Sequence, residues 1–141
     1  MAYATQANIE AHAGGAIRLV ELADWDGDGA VDAVAIASVQ AESDGWIDGF
    51  ANVLYHTPIE APTETLIGHA AAECVFLLKK RRGMATDDDW REHEAREKWL
   101  ERLAKGFVRP SDPAPAKSDA VRSQTVINNR DVSRMNLKGF T

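Results

Sequence analysis

The chain has 141 residues, 45% of them hydrophobic, enough for one compact domain with a modest core plus a tail, and too apolar for a wholly disordered polymer. A lone cysteine, Cys74, excludes an internal disulfide framework, and the longest apolar run, Cys74 to Leu78, is far too short to cross a bilayer; a soluble protein with no export leader and no membrane partner is expected. The net charge of -6 hides a division, since residues 1–108 carry ten Lys and Arg against nineteen Asp and Glu (-9), whereas residues 109–141 carry six against three (+3).

The N-terminal stretch "YATQANIEAHAGG" predicts a short helix capped by Thr5, whose hydroxyl can accept from an orphan amide, and stopped by Gly14-Gly15. "AIRLVELA" predicts a second short helix running into an aspartate-rich loop. Residues 32–55 place Val34, Val39, Trp46, Ile47, Phe50, Val53 and Leu54 near helical spacing, which predicts one long helix weakened at Gly45. Pro58 and Pro62 then mark a connection, with Thr63 able to cap the next helix.

That helix, "ETLIGHAAAECVFLLKKRRG", has Leu66, Ile67, Ala70, Cys74, Leu77 and Leu78 at heptad-like intervals and ends at Gly83. "ATDDDWREHEAREKWLERLAKG" shows a complete helix grammar: Thr86 and Asp89 as a capping box, acidic residues in the first turn, Lys105 in the last and Gly106 beyond. Trp90, Trp99, Leu100, Leu103 and Phe107 are its expected buried stripe. Strand signals are scarce before residue 109, so the expected fold is all-α, a small bundle of two short and three longer helices.

Three prolines within "VRPSDPAPAKSD" favour an extended connector, which sets the expected boundary between a helical body, residues 1–108, and an arm, residues 109–141. The arm is too sparse in apolar groups to fold alone. Arg122, Thr125, Val126, Ile127, Arg130, Val132 and Arg134 are its candidate docking residues, ordering on a partner as an added strand or in a groove. A basic arm on an acidic body suits docking on an acidic surface, and a solvated tail is the plainer alternative.

The loop "LADWDGDGAVD" raises metal chemistry, because calcium needs several hard oxygens converging at about 2.3–2.6 Å. Counting Asp24 as the first position of an EF-hand loop puts Asp26 at the third, Asp28 at the fifth, Gly29 at the sixth and Asp32 at the ninth. The twelfth, where a bidentate Glu belongs, is Ala35. Asp24, Asp26, Asp28 and Asp32 therefore predict at most a weakly held Ca2+, and the same residues also suit a plain turn with Asp32 capping the following helix. No other cofactor is expected.

His12, His56, His69 and His93 fall on different elements with no zinc spacing, and neither a phosphate loop nor a nucleophile elbow is present. "KKRR", Lys79 to Arg82, fits the negative end of a helix dipole better than a phosphate contact. No constellation supports an enzyme.

Taken in order, "MAYAT", the aspartate loop, "IDGFANVLYHTPIEAP", the second long helix and "WLERLAKGFV" resemble the Mu-like phage head-tail connector family, also described as neck or adaptor proteins. The resemblance covers nearly all of residues 1–108. It implies a virion component of the neck, assembled in the host cytoplasm, that forms a homo-oligomeric ring of twelve copies between the portal protein and a tail-proximal neck or terminator protein. DNA would pass the lumen without sequence-specific binding, and the C-terminal arm would dock on the portal. A calcium-dependent binding or regulatory module built on the aspartate loop is the alternative.

Overall fold

The structure, a computed structural model, describes residues 2–111. Five helices follow in order: α1 Gln6–Ala13, α2 Ala16–Ala23, α3 Ala33–Ala51, α4 Glu64–Arg81 and α5 Asp87–Ala104. This is the expected all-α bundle of two short and three longer helices. Among the described residues the one strand-like pairing is an isolated bridge between Pro62 and Ser111. The expected arm residues Arg122, Thr125, Val126, Ile127, Arg130, Val132 and Arg134 lie outside the described residues.

Local chemistry sets the helix ends as the residue types require. Thr5, Thr63 and Thr86 are extended N-caps whose hydroxyls accept from the amides of Asn8, Leu66 and Asp89, and the first and last complete reciprocal capping boxes. Gly14 closes α1 at φ 97°, a left-handed conformation that a Cβ would strain. α3 passes through Gly45 unbroken but stops at Ala51, earlier than the apolar pattern suggests. The amides of Val53 and Leu54 turn back to the carbonyls of Phe50 and Ala51, a tighter winding that sends Leu54 and Tyr55 into the core.

α4 is the axis of the molecule, packing against each of the other four helices. A helix surrounded this way must be apolar on nearly every side, and Ala70, Ala71 and every residue from Glu73 to Leu78 are buried. Small residues let α3 come close: Ser43, fully buried, donates its hydroxyl to the Ala70 carbonyl at 3.2 Å, and the Cys74 thiol lies 3.6 Å from the Val39 carbonyl. Burial pushes the Cys74 thiol up to about 12, so it packs as a small hydrophobe.

The apolar patterns misplace several side chains. Phe107 is 71% exposed, Trp90 43%, Val34 75% and Val53 63%, although each sits at the spacing of a buried stripe. All four lie in the first or last turn of a long helix or just beyond it, where the neighbouring helices no longer cover the surface. In contrast, Pro110 is fully buried and Ser111 nearly so, and the Pro110 carbonyl accepts from Thr63 N at 2.9 Å. The chain is thus held against the body through Ser111.

Candidate functional site

The aspartate loop gathers the four residues that its sequence singles out. One carboxylate oxygen from each of Asp24, Asp26, Asp28 and Asp32 lies within 4.8 Å of the others. Backbone amides organise them. Asp24 Oδ1 accepts from Gly27 N at 2.8 Å and Asp28 N at 3.1 Å, and its Oδ2 from Gly29 N at 2.9 Å. Asp26 and Asp28 each close an Asx turn onto the amide two residues on.

Asp32 occupies the N-cap position of α3 but does not cap it with its side chain. Its Oδ2 turns back into the loop and accepts from Trp25 N at 2.6 Å and Asp26 N at 3.0 Å, a better use of a carboxylate because it satisfies two loop amides at once.

The electrostatics follow from that wiring. Asp24 is held below the usual carboxylate range, chiefly by the Gly29 amide, which with the Gly27 and Asp28 amides and a hydrogen bond from Asp26 outweighs desolvation. Asp26 is lifted: the Asp28 amide pulls it down, but desolvation and the neighbouring carboxylates of Asp24, Asp28 and Asp32 win. Chemically, the loop is a ring of hard oxygens of the kind that suits a hard cation. What it lacks is the bidentate twelfth ligand: that position is Ala35, which has no carboxylate and is fully buried in the first turn of α3.

The basic run has each cation on a different group, Lys79 and Lys80 on α5 and Arg81 and Arg82 on the loop. Lys79 Nζ pairs with Asp89 Oδ1 at 3.1 Å, and Lys80 sits over the Trp90 ring at 5.8 Å. Arg81 donates to Ser38 Oγ at 3.0 Å and Glu42 Oε2 at 3.2 Å, with its guanidinium 5.0 Å from the Trp25 ring. Arg82 donates to the Asp24 carbonyl. The run is therefore engaged within the chain, and Trp25, 40% exposed in the loop, is positioned by Arg81.

The opening "MAYAT" has an equally specific use. The Tyr3 hydroxyl donates to Asp48 and accepts from Ile59 N at 2.8 Å, while Tyr3 N donates to Asp44 Oδ1 at 3.3 Å and Gln40 donates to the Ala4 carbonyl at 2.8 Å. Burial, then Asp48, raises the Tyr3 phenol well above its ordinary value, and burial likewise raises Asp44. The N-terminal segment is thereby tied to the middle of α3.

One polar cluster escapes sequence reasoning. Glu73, 3% exposed, accepts from Arg96 Nε at 3.1 Å and Nη2 at 3.0 Å, and His93 Nδ1 lies 3.0 Å from the same oxygen. The His93 ring stacks between Trp46 and Phe76, at centroid distances of 4.9 and 4.7 Å. This sandwich joins α3, α4 and α5. Its signal in the sequence is a single charge, Glu73, set in the apolar run "AAAECVFLL".

Two uncovered surfaces among the described residues bear on binding. A groove of about 550 Å³ runs between α1 and α5, with α4 as its floor; His69 and Trp99 meet in it at 4.5 Å between ring centroids. Burial first, then the charges of Arg96 and His12, keeps the His69 imidazole below its ordinary range. The second surface is divided. Trp25, Val34 and Met84 are exposed at the loop end of the long helices, and Val53 and Phe107 at the opposite end.

A family model described as Bacteriophage Mu, Gp36 matches residues 3–127. A search of curated proteins gave no match. The match spans more than half of the chain, the helical body and sixteen residues past Ser111 included.

Proposed function

We propose a role from the premise that the chain belongs to the bacteriophage Mu Gp36 family: it is a structural virion protein, a head-tail connector whose copies close into a ring between portal and tail. The neck is its place in the virion, the host cytoplasm its site of assembly, and no enzymatic step belongs to it.

One observation carries this reading, the exposure of apolar groups at both ends of the three long helices in an otherwise acidic body. A closed ring needs a heterologous interface, in which two different patches of each subunit meet. Val34 and Met84 at one end, with Val53 and Phe107 at the other, provide two such patches. The acidic charge of residues 1–108 favours a lumen that repels the DNA backbone, and the basic arm reaches the portal. The twelvefold copy number rests on the resemblance to Mu-like connectors. In this reading the aspartate loop is a rigid corner, and a cation held there would be structural.

Light scattering after size exclusion, alone and with the portal protein of a Mu-like phage, tests the proposal. The native chain should give a ring-sized species or a portal complex. The double variant Val53→Asp, Phe107→Asp should stay monomeric with an unchanged melting temperature, since both side chains are exposed. A native chain that remains monomeric and never associates with portal would overturn the reading.

A further inference from the structure

The groove between α1 and α5 has the lining of a peptide site, and the chain arrives at its mouth. We propose that residues 112–119 of the same chain, "DPAPAKSD", occupy this groove, with Pro113 and Pro115 against the His69–Trp99 pair. The inference goes beyond the connector reading and holds whether or not that reading does.

The first support is position. The segment after α5 passes Tyr55, whose hydroxyl meets the Val108 carbonyl at 3.4 Å, and then reaches the N-cap of α4, where Pro110 and Ser111 pair with Thr63 and Pro62. Thr65, on the first turn of α4, already lines the groove. The next residue of the chain is Asp112, so the occupant needs no linker.

The second support is shape and chemistry. The groove is lined by Gly68, Ala72 and Ala95, which let a backbone approach closely, and the aromatic pair offers flat faces of the kind that bind proline rings. Prolines bring no amide needing a partner there and favour the extended polyproline conformation. Its lining on α5 runs from Glu92 to Arg102, roughly 15 Å at 1.5 Å per residue, and eight extended residues at about 3.1 Å each cover that length.

The third support is charge. Lys98 and Arg102 border the groove and form no ion pair among the described residues, although the body carries excess acid. Asp112 supplies a partner at the Arg102 end, and Lys117, five residues on at about 3.1 Å each, falls opposite Glu92, roughly 15 Å along α5 from Arg102. The family match also continues to residue 127, past the point where the described chain ends.

Disulfide trapping in the full-length protein tests this. Ala95 on the groove and Gly49 on the outer face of α3 are both exposed, and a Cβ at Gly49 meets nothing within 4 Å. The pair Ala95→Cys, Ala116→Cys should close an intramolecular disulfide about tenfold faster than Gly49→Cys, Ala116→Cys at the same dilution, because docking raises the effective concentration of the two thiols. Adding Lys98→Glu and Arg102→Glu should remove most of that advantage, with helical circular dichroism unchanged in every variant. Equal rates for the two pairs would overturn the proposal, as would disulfide-linked dimers as the main product of the groove pair.

Discussion

At the scale of single residues, the Glu73 carboxylate carries the most consequence. It is buried in the central helix and is held by Arg96 and His93 on a single oxygen. Removing one partner of such a pair strands a charge away from water, which typically costs about 3–5 kcal/mol, whereas replacing both with apolar groups of similar volume is often neutral. Arg96→Met should therefore lower the urea midpoint sharply, and Glu73→Leu combined with it should restore most of the loss. A double variant as unstable as the single one would show that the pair's shape, and not the stranded charge, matters. The cluster was not legible in the sequence beyond one glutamate in an apolar run, since His93 and Arg96 stand among the charged residues of α5 and only the fold turns them inward.

At the scale of elements, helix ends were the most legible feature, because capping is local: the hydroxyl of Thr5, Thr63 or Thr86 finds an amide three residues away whatever the rest of the chain does. Asp89 goes further, joining the cap of α5 to Lys79 on α4. Burial works to raise its carboxyl, but the Thr86 amide, the Lys79 ammonium and the Thr86 hydroxyl together hold it below the ordinary range. A depressed folded-state value means stabilisation that is present above the unfolded carboxylate value of about 3.9 and is lost as pH falls through the lower folded one. The melting-temperature gap between the native chain and Asp89→Asn should be full at neutral pH and shrink below about pH 4; a gap independent of pH would deny the ionised pair its role. Buried stripes were less legible than caps. Phe107 and Val53 keep the spacing of core residues, yet coverage depends on where neighbouring helices end, and spacing cannot encode that.

At the scale of the molecule, the class of fold followed from the near absence of strand patterns and the helical spacing of apolar residues, and the resemblance to Mu-like phage proteins agreed with the family match. The packed limit of the body was harder to see. Prolines after Val108 suggest departure into solvent, but Pro110 is buried and its carbonyl serves Thr63. Deletion from residue 112 should keep the helical content, and deletion from residue 109 should be less stable than that by about 1–3 kcal/mol, the cost of an amide left without its acceptor and a lost buried ring. Denaturant titration of the two truncations decides this. The four aspartates were legible as a cluster, and the turning of Asp32 into the loop was not, because two amides competing for one side chain is settled by the path of the loop.

The last turn of α4 also has a meaning in terms of proteolysis. Four consecutive basic residues make Lys79 to Arg82 the densest target for trypsin-like cleavage in the chain, and a protease must draw such a site out of the helix before cutting it. Here withdrawal means releasing Asp89, Trp90, Glu42, Trp25 and the Asp24 carbonyl together. The rate of nicking at this turn therefore gauges how tightly the loop corner and the start of α5 are latched, so a gel can follow that latch before and after the protein meets its neighbours.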